Sequence, residues 1–78
     1  YATQGIRVNG IAPGIIATPM EQYLIDDEEE LNEILRLYPM GRVATPDEVT
    51  GLVLWLCSEQ ASYTTGAIIP VDGGHMAL

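Results

Sequence analysis

The chain has 78 residues, enough for one domain at most and few enough that a self-contained core would be marginal. Its formal net charge of −8, from eleven acids against three arginines and no lysine, argues against nucleic-acid phosphates and anionic membrane surfaces as partners. A single cysteine excludes a disulfide within one copy, and no apolar run approaches the ~20 residues of a bilayer span.

Residues 1–4 read as the last turn of a helix closed by Gly5, which takes the left-handed helix-ending conformation most easily. A strand is expected over residues 6–12. Ile6, Val8 and Ala12 alternate with Arg7 and Asn9, while Ile11 adds apolar character on the second face, as in a parallel strand covered by helices on both sides. Pro13-Gly14 then break the strand, and main-chain groups freed at the carboxyl end of a strand are where open α/β sheets bind ligands.

Residues 13–38 form a turn and then, from Thr18 to Tyr38, a stretch that is first polar and then helical, with Leu31, Ile34, Leu35 and Tyr38 on one face. The block from Asp26 to Glu30 reads as a solvated helix start favoured by the macrodipole, capped by Asp27 with Glu30 or by Asp26 with Glu29. Pro39 stops that helix.

A second helix is expected over residues 45–60, with Thr45 as N-cap, Pro46 at the first helical position and Glu48 completing a capping box. Val49, Leu52, Val53, Leu56 and Cys57 form one apolar face, and Leu54 and Trp55 carry the run around the cylinder. The spacing therefore predicts burial on both sides, with Cys57 a buried, unreactive thiol. A lone, unbridged cysteine also favours a reducing, cytoplasmic setting. Residues 67–71 form a last strand, marked as an edge strand by Pro70, which lacks a ladder donor. Strand, helix, strand in this order is a right-handed βαβ unit.

Four stretches, GIRVNGIAPGIIATPM, PMGR, PDEV and ASYTTGAIIPVDGG, follow one another in that order with ordinary spacing. The whole resembles the carboxyl-terminal third of a short-chain dehydrogenase/reductase, and the resemblance runs from Tyr1 to Gly74. It implies an α/β fold, namely the carboxyl-terminal portion of a Rossmann-type doubly wound parallel sheet: strand, lid helix, helix, edge strand. It further implies NAD or NADP as cofactor, an alcohol or ketone as substrate, and a homo-oligomer built through residues 49–57 and the last strand.

By the same resemblance, Pro13, Gly14 and Ile16 lie beside the nicotinamide, with main-chain groups of Ile16 pairing with its carboxamide. Thr18 would place a hydroxyl near the pyrophosphate or carboxamide, and Met20 would line the pocket. Residues 21–38 correspond to the segment that closes over substrate. The family's glycine-rich loop, catalytic Ser and Tyr-x-x-x-Lys pair do not occur here, so no catalytic residue is assigned and the isolated chain is expected to be inactive. A truncated module that only mediates association is the competing reading. His75, expected to be exposed, lacks metal-ligand spacing, the acidic block reads as a solvated helix start ahead of a metal or cation site, and no metal is expected. Arg42 reads as one half of a structural ion pair ahead of an anion anchor, and Asp72-Gly73-Gly74 as a turn passing close to other backbone.

Overall fold

The computed structural model describes residues 1–77. A 3₁₀ turn at Ala2–Gln4 is closed by Gly5 at φ 79°. Strand β1 (Gly10–Pro13) pairs in parallel with β2 (Ile68–Val71), Gly10 standing opposite Ile68 and Pro13 opposite Val71. Parallel neighbours need a crossover, and it holds the short helix α1 (Gln22–Ile25), α2 (Glu28–Leu35) and α3 (Pro46–Leu56). Within the described residues this is the expected α/β piece of a parallel sheet.

The first strand is shorter at its start than the alternation suggests, and longer at its end. Across from residues 6–9 stands a turn rather than a strand. Gly66 N–H donates to Val8 C=O at 2.8 Å, Val8 N–H donates to Thr65 Oγ1 at 3.1 Å, and the Asn9 side chain bonds both Thr64 C=O and Ala67 N–H. The regular ladder can begin only where β2 begins. It continues through Pro13 because Gly10 and Gly14 donate to Ala67 and Val71, which turns the alternate residues, and with them the missing N–H of Pro13, to the other edge. By the same alternation the nitrogen of Pro70 faces away from β1, as an edge strand requires.

Helix α3 also ends earlier than expected. Arg7 explains why: its guanidinium donates to the carbonyls of Leu56 at 2.7 Å, Ser58 at 3.4 Å and Thr64 at 3.1 Å, while Ser58 Oγ donates to Trp55 C=O at 2.6 Å. The last carbonyls of the helix are thus occupied, and Glu59–Ala61 forms a separate 3₁₀ turn. At the start of α2, Asp27 is the cap, accepting from Glu30 N–H at 3.1 Å.

Burial departs most from the sequence reading. Among the described residues only Leu24 and Ala61 are fully buried. The chain exposes 5869 Å², roughly 1,200 Å² more than a compact protein of its mass. Its radius of gyration is 15.2 Å where ~11.5 Å is usual for this length. Helix α3 is covered on one side only: Val49, Leu52 and Leu56 are half-buried, whereas Leu54 is 65% exposed and Trp55 39%. Cys57 is exposed, not buried, because it borders an open cavity of about 370 Å³ between α3 and Arg7, Asn9 and Ile11. A second layer that would cover these surfaces is absent from the described residues.

Candidate functional site

The segment after β1 is held by three main-chain contacts. Gly14 N–H donates to Val71 C=O, Ala44 N–H to Ile15 C=O and Ala17 N–H to Ala44 C=O, each at 2.9 Å. The last two form a one-residue parallel bridge between Ile16 and Ala44. The main-chain groups expected to be free at this strand end are therefore free only in part: Gly14 and Ala17 are engaged in ladder-type bonds. In such a bridge the flanking residues face the partner, and the central residue turns its own groups to the opposite side. Ile16 N–H accordingly has no partner among the described residues, nor does Ile15 N–H. Ile16 C=O accepts from Thr18 N–H at 2.8 Å and retains a second lone pair.

The five residues singled out from the sequence are not all brought together. Gly14 lines a cavity of about 260 Å³ at the carboxyl end of the strands, beside Ile15, Tyr38, Ala44 and Asp72. Pro13 lies exposed at the end of β1, and Thr18 is half-buried at the head of the 3₁₀ turn Pro19–Glu21. The Thr18 hydroxyl makes no hydrogen bond among the described residues. Met20 points outward, 85% exposed, and does not line this cavity.

Gly14 has a steric cause. A Cβ there would stand 2.9 Å from Tyr38 Cε1 and 3.0 Å from Asp72 Cα, so only a hydrogen fits. Several cavity residues escaped the sequence reading as site residues, Ala44, Tyr38 and Asp72 among them. Ala44 carries no signal beyond preceding the Thr45 cap, Tyr38 was legible only as a helix-face residue, and Asp72 only as part of a turn.

At one side of the cavity Arg42 forms a bidentate pair with Glu48, at 2.8 and 2.9 Å. The Arg42 hydrogen bond, followed by that of Thr45 N–H at 2.9 Å, holds the Glu48 carboxyl down to about 2, and Glu48 in turn raises Arg42. The pair and the capping box share one carboxylate, so Arg42 has its counter-ion within the fold. His75 is half-buried rather than exposed: Nδ1 lies 2.9 Å from Leu37 C=O, and the ring stacks on Tyr38. Among the described residues no group of three or more His, Cys, Asp or Glu could hold a metal ion. Among the described residues no helix is long and apolar enough to cross a membrane.

A family model described as enoyl-(acyl carrier protein) reductase matches residues 1–76. A 3β-hydroxysteroid dehydrogenase of Eggerthella lenta is 49% identical over 74 residues, which are 95% of this chain and 28% of that protein. A tropinone reductase homolog of Arabidopsis thaliana is also 49% identical over 74 residues, covering 95% of this chain and 27% of its own length. Among solved structures, a proposed 2-deoxy-D-gluconate 3-dehydrogenase from Agrobacterium tumefaciens with bound NADP superposes with a TM-score of 0.94 at 40% identity, over 99% of this chain and 31% of that one. The chain thus spans under a third of the length of these relatives.

Proposed function

The chain belongs to the short-chain dehydrogenase/reductase family, and from that premise we propose that it is the carboxyl-terminal part of an NAD(P)-dependent oxidoreductase interconverting an alcohol and a carbonyl. One observation carries this reading. Ile16 offers an N–H without a partner among the described residues and a half-used C=O, side by side, at the carboxyl end of a parallel strand. A nicotinamide carboxamide has the complementary acceptor and donors, and ligands of open α/β sheets sit at this end.

When bound, the nicotinamide supplies or accepts the hydride. Pro13 and Gly14 would shape the floor beside it, Gly14 by having no side chain. Ile16 would orient the carboxamide through its backbone, and the free Thr18 hydroxyl would donate to the carboxamide or pyrophosphate. Met20 would reach the ring only on rearrangement, since it now faces solvent. Residues 21–38 would fold over a small alcohol or ketone. The residue that meets the ribose 2′ position lies outside this chain, so the dinucleotide is NAD or NADP.

Proton transfer belongs elsewhere in this proposal, because no Tyr here is followed four residues on by Lys and the chain has no lysine. An unbridged, exposed thiol goes with a reducing, cytoplasmic setting. A chimera tests the reading directly. Residues 1–76 replace the matching segment of the Agrobacterium relative, and NADP binding and alcohol oxidation are measured. Retained binding is expected; a folded chimera that binds no dinucleotide contradicts the proposal.

A second reading, that the chain acts as an association module, has its own observation. Leu54, Trp55 and Ile68 are 65%, 39% and 76% exposed on α3 and β2, an apolar surface suited to a subunit contact. It is compatible with the first reading, since a homo-oligomer would use the same surface.

A further inference from the structure

Parts of the chain far apart in sequence meet on Tyr38. Its ring stacks on His75, with centroids 4.6 Å apart and planes 22° from parallel. Its Cε1 edge lies against Gly14, where an added Cβ would come within 2.9 Å.

On both sides of that ring the chain is fastened to the turn after β2. Met40 N–H donates to Gly73 C=O at 3.0 Å, and His75 Nδ1 lies 2.9 Å from Leu37 C=O. A carbonyl only accepts, so Nδ1 carries the proton. Pro39 packs on Gly74, where an added Cβ would meet its ring at 3.1 Å. The turn itself is fixed by Asp72, whose carboxylate accepts from Gly74 N–H at 3.1 Å and from Met76 N–H at 2.9 Å.

The segment before this knot is attached differently. Every hydrogen bond that residues 19–36 make among the described residues stays within residues 18–38, including Glu21 to Thr18 at the front and Tyr38 to Leu35 at the rear. No hydrogen bond therefore ties this segment to the sheet, and the buried Leu24 aside it is attached through its two ends, as a moving flap requires.

We propose that Tyr38 is a positioning residue, the fixed rear hinge of a flap formed by residues 19–36, held by His75 and seated on the cofactor turn at Gly14. The proposal rests on the reading of that turn as the nicotinamide site. Its consequence is mechanical: the flap root and the cofactor turn share one aromatic contact, so the flap closes from a set position.

Two readouts test it on Tyr38→Leu and Tyr38→Phe. The first is amide exchange in the folded chimera. Tyr38→Leu is expected to speed exchange at Met40 about fivefold, the equivalent of one lost aromatic stack, while Tyr38→Phe and the α3 amides stay unchanged. The second is steady-state kinetics of the chimera, where Tyr38→Leu is expected to raise KM for the carbonyl substrate about tenfold with kcat nearly constant, and Tyr38→Phe to restore it.

A Met40 amide already unprotected in the unsubstituted, folded chimera overturns the proposal. So does equal acceleration throughout α3, unchanged exchange, or faster exchange with an unaltered KM. If the unsubstituted chimera binds no dinucleotide, the nicotinamide reading fails, and the exchange result alone then decides whether Tyr38 is the hinge.

Discussion

Arg42 and Glu48 are joined by two hydrogen bonds of 2.8 and 2.9 Å, and the same Glu48 carboxylate closes the N-terminus of α3 on Thr45 N–H. One charged group thus links the loop carrying Ala44, the residue that bridges Ile16, to the helix behind it. The pair is half exposed, at 50% and 41%, so its contribution is modest and salt-sensitive.

Its pH signature has a definite sign. The folded-state pKa of Glu48 is lowered to about 2, so its stabilisation is complete above the ordinary carboxylate value near 4.5 and is lost as pH falls toward 2. Glu48→Gln keeps an acceptor for Thr45 N–H but not the ion pair. Thermal unfolding followed from pH 5 to pH 2 should show a shallower acid limb in that variant, and the difference should shrink in high salt.

Gly14→Ala should cost about 1–3 kcal/mol, as overpacking does, because its Cβ would meet Tyr38 and the Asp72 backbone. No φ strain is involved, so Gly14→Ala combined with Tyr38→Leu should recover part of the loss. Chemical denaturation of the single and double variants checks this.

Arg7→Ala should destabilise by about 1.5–3 kcal/mol, the range for hydrogen bonds to a charged group. The three carbonyls it serves close α3 and the turn before β2. Arg7→Lys should recover only part of this, since one ammonium cannot reproduce the guanidinium fork. Equilibrium denaturation distinguishes the three proteins.

Much of this was legible in the sequence where local chemistry decides structure. Thr45, Pro46 and Glu48 mark the start of α3 without reference to anything distant, and Gly5 marks the end of the first turn. The limits of β1 were not legible, because pairing depends on where residues 64–67 turn. Exposure of Cys57, Val53 and Leu54 was misread for a related reason: periodicity reports which faces are apolar, whereas burial depends on what covers them. Nor does anything local announce that Ile16 meets Ala44 or that His75 meets Tyr38, contacts between residues 28 and 37 positions apart.

Leu54→Glu and Ile68→Glu place charges on surfaces that are 65% and 76% exposed in a single copy. They should leave the fold of one subunit unchanged while dissociating any oligomer built on α3 and β2. Sedimentation velocity of the chimera and its two variants gives the answer; an unchanged assembly would place the subunit contact elsewhere.

Recognition of the nicotinamide turns on Ile16, whose main-chain N–H has no partner among the described residues. In the chimera, the ¹⁵N–¹H resonance of Ile16 is followed while NADP is added, and again while adenosine diphosphoribose, which lacks the nicotinamide, is added. The Ile16 amide is expected to shift with NADP and to stay in place with adenosine diphosphoribose. A resonance that ignores both ligands, or responds equally to both, would contradict that recognition.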